Sequence, residues 1–304
     1  MFKNKVVLIT GGTGSLGKHL TNRLLQTNPS KIIIYSRDEL KQSEMKKQFQ
    51  DDRLRYFIGD IRDKNRLNTA MKGVDFVIHT AALKQVDTLE YNPFEAVKTN
   101  ILGAQNVIEC SINNKVKKVV ALSTDKACQP INLYGHTKAV NDKLFQHANV
   151  YAENHKIILN VVRYGNVTGS RGSVIPFFKQ LKKEGAEFLP VTHPDMTRFC
   201  ITLEQAVELI ITAFNDDEGG KIFVSKLPSY RILDLVEAFE MGAVITTIRP
   251  GEKLHEQMIS IYDKYDEYKD YYIIHKNGEK TGLDYNSKNN KFMSVQELKE
   301  MIND

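Results

Sequence analysis

Several features that would assign the chain to other protein classes are missing from its sequence. There is no tryptophan, and the three cysteines, Cys110, Cys128 and Cys200, are odd in number and lack the spacing of a metal site. We therefore expect reduced thiols, no bound metal and a cytoplasmic location. No run approaches the ~20 apolar residues of a membrane span. Met1–Lys5 leads straight into a strand, so no signal peptide is expected.

Charge is not concentrated in blocks either. The formal net charge is +5 over 304 residues, with lysines and carboxylates mixed throughout and no basic block interleaved with aromatics. A nucleic-acid partner is therefore not expected, whereas an anionic small molecule would be attracted. With 41% hydrophobic residues, the composition predicts a soluble globular protein with one large domain and a smaller one.

A strand, a glycine-rich turn and a helix open the chain. The run Lys5–Thr10 predicts a buried strand, and an amphipathic stretch follows the turn. Gly11 permits the tight turn, Gly14 lets the backbone approach a pyrophosphate, and Gly17 lets the helix pack closely on the strand. This context predicts a dinucleotide site formed by Gly11, Thr13, Gly14, Ser15, Leu16 and Gly17.

The end of the second predicted strand, Lys31–Tyr35, indicates which dinucleotide binds. An NAD enzyme usually carries an acidic residue there to hold the ribose 2′-hydroxyl. Ser36 and Arg37 occupy that place, with Lys41 one helical turn beyond. A hydroxyl, a guanidinium and an ammonium suit a 2′-phosphate, so NADP is predicted, although Asp38 keeps NAD open.

Further cofactor contacts are predicted after the third and fourth strands. Asp60, followed by Ile61, is interpreted either as an acceptor for the adenine amine or as a helix N-cap. Asn100 is interpreted either as a solvated polar residue or as a brace for the helix that carries Tyr134. The remaining predicted cofactor contacts on this side are Ala81, Ala82 and Lys84.

A second group of chemically informative residues follows the strand Lys118–Leu122. Thr124, Asp125 and Lys126 come directly after it, at the edge where open α/β sheets bind ligands. Tyr134 and Lys138 are spaced to share one helix face. An ammonium one turn away would lower the pKa of the phenol, so that Tyr134 could take a proton from a sugar hydroxyl.

Strands alternate with helical patterns as far as Arg163, which predicts a doubly wound parallel sheet. We expect residues 1–163 to form this dinucleotide-binding domain, with 203–225 returning to it, and 164–304 to form a smaller substrate-binding region. Arg249 and Glu252 could hold a diphosphate and a ribose diol, or form only a surface salt bridge. Other predicted substrate contacts are Lys84, Asn166, Val174 and Thr197.

Several longer motifs carry a family resemblance over nearly the whole chain. They are ITGGTGSLG, YSRDELK, YFIGDIRDK, AALKQV, VKTNILGAQNVI, ALSTDKACQPINLYGHTK, RYGNVTGSRGSVIPFF, DMTRF and IRPGEKLHE. The chain resembles the extended short-chain dehydrogenases/reductases. More narrowly, it resembles the inverting UDP-N-acetylglucosamine 4,6-dehydratases of the pseudaminic acid pathway and their capsule and flagellar relatives.

The resemblance implies a hydride shuttle on one bound NADP and a homo-oligomer, dimeric or hexameric. Tyr134 would take the proton of O4, Lys126 would remove the C5 proton, and Asp125 would protonate the departing 6-hydroxyl. The hydride would return to C6, giving UDP-2-acetamido-2,6-dideoxy-β-L-arabino-hex-4-ulose. A lysine base needs a depressed pKa, which burial beside another cation could supply.

Other interpretations of the same motifs remain. Retaining dehydratases carry Asp-Glu in place of Asp125-Lys126, and some capsule-type relatives lack Tyr134. A nucleotide-sugar 4-epimerase or reductase would use the same Tyr134 and Lys138, but it needs no C5 base. An inactive NADP-binding regulator would not need Thr124, Tyr134 and Lys138 intact.

Overall fold

A computed structural model describes residues 1–152, 156–169 and 172–303. Its strands are β1 (Val6–Thr10), β2 (Lys31–Ser36), β3 (Leu54–Ile58), β4 (Phe76–His79), β5 (Lys118–Leu122), β6 (Ile158–Arg163), β7 (Asn166–Val167), β8 (Phe188–Val191), β9 (Thr197–Ile201), β10 (Ile222–Ser225), β11 (Ser229–Arg231), β12 (Gly242–Ile245), β13 (Gln257–Ile259), β14 (Tyr265–Glu267), β15 (Tyr271–Ile274) and β16 (Tyr285–Asn286).

The α-helices are α1 (Ser15–Leu25), α2 (Glu39–Phe49), α3 (Lys64–Ala70), α4 (Val86–Tyr91), α5 (Pro93–Ala96), α6 (Gly103–Asn113), α7 (Leu133–His147), α8 (Asn149–Ala152), α9 (Val174–Lys183), α10 (Leu203–Phe214), α11 (Ile232–Ala238) and α12 (Val295–Asn303). A π-helical segment, Val97–Leu102, lies between α5 and α6, and a short 3₁₀ turn spans Asp125–Ala127. No helix in the described part of the chain is both long and apolar enough to cross a membrane.

The largest sheet has the strand order β14-β15-β10-β6-β5-β4-β1-β2-β3. The strands from β10 to β3 are parallel, whereas β15 and β14 add an antiparallel edge. The inner strands are β-branched runs buried on both faces, as expected where helices cover both sides of a sheet. The prediction of a doubly wound parallel sheet is confirmed.

Helices on the two faces of this sheet enclose the larger hydrophobic core. α1 packs against α10, while α3 packs against α6 and α6 against α7. Right-handed crossovers in opposite directions from β1 and β4 put α1 and α6 on opposite faces. The order reverses between β1 and β4, and a crevice opens there at the carboxyl ends of the strands.

A second core lies in the carboxyl-terminal region. Phe178 of α9, Tyr230 of β11 and Leu298 of α12 belong to it, as do residues of the small sheets β11-β9-β7 and β12-β8. The third small sheet, β13-β16, instead contributes Met258, Ile259 and Tyr285 to the larger core. β10 pairs with β6 in the main sheet, and α10 packs against β5, β6 and α1. The hairpin of β14 and β15 also joins that sheet, which the sequence pattern did not indicate.

Candidate active site

The glycine-rich turn between β1 and α1 leaves room for a ligand against its backbone. Gly11 has a φ of +68°, a left-handed conformation that favours glycine. A Cβ on Gly17 would overlap the backbone of Gly12, so α1 can pack this closely only with glycine there. Gly14 is the N-cap of α1, and the first N–H groups of that helix face the cleft. These residues fit a dinucleotide pyrophosphate.

Basic groups surround the end of β2, where a cofactor ribose would lie. Lys41 Nζ is 2.5 Å from Asp38 Oδ2, and Asp38 also caps α2 by accepting from the Lys41 amide. Asp38 is therefore already paired with a cation and a helix terminus. Arg37 is 54% exposed and Nη1 lies 3.9 Å from Asp60 Oδ2. Ser36, Arg37 and Lys41 all line the cleft.

The structure distinguishes between the two interpretations of Asp60. Asp63, not Asp60, caps α3, accepting from the Arg66 amide at 3.0 Å, so the N-cap interpretation of Asp60 is wrong. The Asp60 carboxylate instead accepts from the Arg62 backbone and guanidinium. Asp60, Ile61, Ala81 and Ala82 line the cleft.

Asn100 connects the segment after β4 to α7, the helix that carries Tyr134. Its Oδ1 accepts from the Leu83 amide at 2.9 Å, and its Nδ2 donates to the Leu83 carbonyl and to Thr137 Oγ1 at 3.0 Å. It is buried within the π-helical segment, so it is not a solvated polar residue. It does not line the cleft, and the predicted cofactor contact is not seen there.

The 3₁₀ turn after β5 sits directly against the start of α7. Thr124 caps the turn, and the Asp125 amide donates to the Tyr164 carbonyl at 3.1 Å. A Cβ on Gly135 would overlap the Lys126 carbonyl oxygen, so α7 can approach this closely only with glycine at that position. The contact fixes Tyr134 beside the turn that carries Asp125 and Lys126.

Lys126 lies between two buried carboxylates. Its Nζ is 3.1 Å from Asp125 Oδ1 and 2.9 Å from Glu256 Oε1. Glu256 directly precedes β13 and lines the cleft, as do Thr124 and Lys126, whereas Asp125 lies beneath the cleft surface. The sequence motif RPGEKLHE ends at Glu256, but nothing in its spacing indicated this partner for Lys126.

The protonation preferences in this cluster differ from the expectation for Lys126. Burial alone would lower the pKa of Lys126, but Asp125 and Glu256 raise it above its usual value. The prediction of a depressed pKa for Lys126 is therefore wrong. Burial raises the pKa of Asp125, and Glu256 raises it further. It is Lys84, another cleft residue, whose pKa is lowered by burial and by Lys126.

Tyr134 and Lys138 occupy adjacent turns of α7 but do not act on each other as predicted. Burial raises the pKa of Tyr134 to about 12, and Lys126 is the cation that most opposes this rise. Lys138 Nζ donates to the Leu122 carbonyl at 2.5 Å. Burial lowers the pKa of Lys138 to about 8. The predicted lowering of the Tyr134 pKa by Lys138 is not observed without ligand.

A buried polar network, missed from the sequence, supports α7 from the other side. Ser123 Oγ donates to Asp142 Oδ2 at 2.7 Å, and Arg163 Nη2 donates to the same oxygen at 2.9 Å. Arg163 Nη1 donates to the Met258 carbonyl, which ties β6 to β13. Asp142 also opposes the lowering of the Lys138 pKa. Only the three-dimensional fold brings these groups together.

The same cleft extends from the cofactor side to the carboxyl-terminal region, with a volume of about 1520 Å³. Lys84, Asn166, Val174, Arg249 and Glu252 all line it. Ser170 and Arg171, which belong to the motif RYGNVTGSRGSVIPFF, lie outside the described residues.

Thr197 is the predicted substrate contact that the structure places elsewhere. It is buried, with Oγ1 2.9 Å from His255 Nδ1 and 2.7 Å from Ser287 Oγ, and it does not line the cleft. Its neighbour Arg198 faces the cleft instead, because successive side chains of β9 point to opposite faces. Arg198 Nε lies 4.0 Å from Glu256 Oε1.

Arg249 and Glu252 form a pair at the rim of the cleft. Arg249 Nη2 is 2.9 Å from Glu252 Oε1, and Nη1 is 3.5 Å from Asp87 Oδ2 of α4. The Arg249 side chain is 59% exposed, so it can turn toward a ligand at little cost. Within the described residues, no cluster of three or more His, Cys, Asp or Glu side chains could hold a metal ion.

The parallel sheet, the glycine-rich turn and the Tyr134/Lys138 pair together define an extended short-chain dehydrogenase/reductase. Residues 7–276 match the model of the family described as "Polysaccharide biosynthesis protein". The chain belongs to this family.

Similar proteins carry more specific names. The chain is 52% identical to an inverting UDP-N-acetylglucosamine 4,6-dehydratase of Campylobacter jejuni serotype O:2, covering 100% of this chain and 98% of that protein. It is 42% identical to a protein of Rickettsia massiliae named UDP-glucose 4-epimerase, covering 99% and 96%. The X-ray structure of Pen from Bacillus thuringiensis superposes with a TM-score of 0.94 at 39% identity, covering 99% and 98%. A dTDP-glucose 4,6-dehydratase of Streptomyces venezuelae, solved with NAD, shares the fold at 22% identity, covering 82% and 86%, with a TM-score of 0.73.

Proposed function

We propose that the chain is an inverting UDP-N-acetylglucosamine 4,6-dehydratase that uses one bound NADP. The observation that carries this proposal is the Asp125–Lys126 pair, with Lys126 lining a cleft that also contains Tyr134 and the glycine-rich turn, and Asp125 directly beneath it. Elimination of water needs a base for C5 and an acid for the 6-hydroxyl beside the oxidation site. The name and 52% identity of the Campylobacter jejuni relative support the same function.

The first step needs Tyr134, Lys138 and the cofactor. Tyr134 accepts the proton of O4 as C4 is oxidised, and bound NADP would supply the chemistry of hydride acceptance and return. Burial raises the pKa of Tyr134 to about 12, so a nearby positive charge is needed to favour its phenolate. A positively charged nicotinamide near the phenol would favour the phenolate.

Lys126 and Asp125 then carry out the elimination. With a ketone at C4, the C5 proton becomes acidic and Lys126 removes it. Burial raises the pKa of Asp125, which favours the protonated form that would donate to the departing 6-hydroxyl. The hydride chemistry that NADP would supply returns a hydride to C6, and a proton from solvent added to C5 from the opposite face then gives the 6-deoxy-4-keto sugar of arabino configuration.

The rim of the cleft provides contacts for the nucleotide. Arg249 would hold the diphosphate by charge-assisted hydrogen bonds, and Glu252 would accept from the ribose diol. Asn166, Val174 and Lys84 lie along the same cleft, where they would contact the sugar and its phosphates. The NADP preference rests on Arg37, Ser36 and Lys41 around the ribose.

A second candidate is a UDP-sugar 4-epimerase, favoured by the name of the Rickettsia massiliae relative at 42% identity. Epimerisation at C4 needs only Tyr134, Lys138 and the cofactor. It gives no role to a carboxylate and a lysine held beneath the sugar, so the dehydratase is the better fit. A retaining dehydratase is disfavoured because it would carry a glutamate where this chain has Lys126.

One experiment separates these candidates. Purified protein is incubated with UDP-N-acetylglucosamine in deuterium oxide without added cofactor, and the sugar is followed by NMR. A 6-methyl 4-keto product of arabino configuration with deuterium at C5 is expected. A 4-epimer that retains C5–H would identify an epimerase, and a product with unchanged C5 configuration would identify a retaining enzyme.

We also propose a cytoplasmic homo-oligomer. Tyr91 and Phe94, at the junction of α4 and α5, are 90% and 78% exposed in the single chain, and burial of such rings stabilises subunit contacts. Light scattering coupled to size-exclusion chromatography tests this proposal. A monomer at all protein concentrations would contradict it.

A further inference from the structure

The surroundings of Glu256 are not explained by the roles proposed for Tyr134, Lys126 and Asp125. It is 1% exposed, and its Oε1 accepts from Lys126 Nζ at 2.9 Å. Its other oxygen, Oε2, is buried without a hydrogen-bond partner in the described part of the chain. Burial raises the pKa of Glu256, but Lys126 and Arg198 bring it below its usual value, so Glu256 is a carboxylate whose second oxygen is free to accept a proton.

The backbone holds Glu256 firmly in this position. Its amide donates to Ser287 Oγ at 2.9 Å, and its carbonyl accepts from the Ser287 amide at 2.8 Å. The next residues form β13, which pairs with β16. The contact with Lys126 is therefore built into the fold and does not depend on a mobile loop.

The proposed elimination creates a requirement that Glu256 can meet. Although burial lowers the pKa of Lys126, its two carboxylate partners raise it above its usual value and favour the ammonium, yet a base must first lose a proton. Among the described residues, Asp125 and Glu256 are the acidic groups within 4 Å of its Nζ. Asp125 is needed in protonated form as the acid for the 6-hydroxyl. Glu256 is the acceptor that remains.

We propose that Glu256 is a positioning residue that takes a proton from Lys126, so that the lysine meets the C5 proton as a neutral amine. This inference rests on the proposed dehydratase function. In the transfer, one N–H bond of Lys126 breaks and an O–H bond forms on Glu256, turning an ion pair into a neutral pair. A bound sugar nucleotide excludes water from the cleft, and a low-dielectric environment favours the neutral pair.

The protons balance over the elimination. Lys126 takes the C5 proton, the C5–H electron pair forms the C5–C6 double bond, and the C6–O bond breaks as Asp125 protonates the departing oxygen. Lys126 is then an ammonium, Asp125 a carboxylate and Glu256 a carboxylic acid. Lys126 passes a proton to Asp125 and receives one from Glu256, which restores the starting state. The cluster has moved one proton from C5 to the departing water.

Glu256→Gln tests this inference, because glutamine keeps the shape and the acceptor oxygen but cannot take a proton. The matched control is Glu267→Gln, since Glu267 also pairs with two lysines, Lys226 and Lys280, outside the cleft. Two quantities are measured with UDP-N-acetylglucosamine in deuterium oxide: absorbance of reduced bound cofactor, and exchange at C5. In Glu256→Gln, C4 oxidation persists while C5 exchange at neutral pH falls by about 10²–10⁴-fold, the usual contribution of a general base.

The pH profile separates this role from simple packing. In the wild type, the proton passes within the Lys126–Glu256 pair, so C5 exchange changes little near neutral pH. In Glu256→Gln the proton must leave to water, so exchange rises about tenfold per pH unit until the lysine titrates. Glu256→Asp keeps an acceptor on a shorter arm and is expected to be slower with a flat profile. It also replaces Glu256→Gln should that variant fail to fold.

NMR of protein labelled at lysine Cε gives a measurement that needs no substrate. The Lys126 signal is identified as the one that is missing from the spectrum of Lys126→Met. Besides the two carboxylates, the charged groups facing the pair are Arg198, Lys84 and Lys253. Removing the Glu256 charge lowers the pKa of Lys126, whereas Glu267→Gln leaves it unchanged. Three results in Glu256→Gln would overturn the inference. They are an unchanged Lys126 pKa, C5 exchange at a near-normal rate, and loss of C4 oxidation together with C5 exchange. If the wild type instead forms neither reduced cofactor nor 6-methyl product, the proposed function fails, and the lysine titration still tests the pair.

Discussion

Replacing Lys126 by methionine should leave the buried carboxylates of Asp125 and Glu256 without the cation that pairs with them. Its Nζ lies 3.1 Å from Asp125 and 2.9 Å from Glu256, and both carboxylates are almost completely buried. Methionine keeps the length of the side chain but removes the charge. Breaking a buried ion pair on one side costs about 3–5 kcal/mol. At about 2 °C per kcal/mol for a larger chain, the midpoint of thermal unfolding should fall by roughly 6–10 °C near pH 7.5.

The size of this loss should depend on pH. The pKa of Lys126 is raised in the folded protein, so its stabilisation is fully present below the unfolded lysine value of 10.5 and is lost only as pH rises through the folded value. In Lys126→Met the two carboxylates lack their cation, so their pKa values rise and the folded state binds protons more readily than the unfolded state. The variant therefore recovers stability as pH falls from 8 toward 5.

Calorimetry or circular dichroism at several pH values measures this effect. Lys143→Met is the control, because Lys143 lies on the exposed side of α7 and its removal should change stability by less than about 0.5 kcal/mol. An unfolding midpoint for Lys126→Met that matches the control, or a deficit equal at pH 5.5 and pH 8, would refute the buried cluster. With UDP-N-acetylglucosamine, the same variant should reduce bound NADP but form no 6-methyl product.

Three further predictions concern the cofactor, the substrate and the packing of α7. Arg37→Ala should weaken NADP by about 1–3 kcal/mol and leave NAD nearly unaffected, measured by calorimetric titration; equal losses would exclude a 2′-phosphate contact. Arg249→Ala should chiefly raise KM for the UDP-sugar, because a diphosphate contact is alike in ground and transition states; a collapse of kcat at constant KM would assign Arg249 another role. Gly135→Ala should destabilise the fold by about 1–3 kcal/mol and lower kcat, because a Cβ there displaces α7 from the Lys126 carbonyl. Exposed His136→Ala serves as its control, and normal kcat in Gly135→Ala would show that the close packing is dispensable.

Local patterns in the sequence were sufficient for much of the fold. Buried strands such as Lys31–Ser36 contain runs of β-branched residues, and the glycine spacing after β1 defines a strand–turn–helix unit. Alternation of strands and helices then fixes a parallel sheet. The hairpin of β14 and β15 was not predictable, because an antiparallel pair does not indicate in its own sequence which sheet edge it will join.

The candidate site, like the fold, was predictable from the sequence only in part. Thr124, Lys126 and Tyr134 could be placed near one another because they follow one strand. Glu256 could not be paired with Lys126, since only the docking of the carboxyl-terminal region brings them together. Thr197 was predicted one position away from the residue that faces the cleft, because a strand alternates sides and the sequence did not show which side was inward. The charge state of Lys126 likewise depends on a carboxylate remote in sequence.

The pairing of Lys126 with Glu256 has a consequence for how the enzyme is made. Synthesis from the amino terminus yields the dinucleotide turn and the Asp125–Lys126 turn well before the segment that contains Arg249 and Glu256. A nascent chain that has folded its first six strands therefore has a cofactor site but neither the rim that would hold a UDP-sugar nor the second carboxylate of the cluster. Translation thus completes the rim proposed to hold the UDP-sugar and the charge balance of Lys126 with the same late segment.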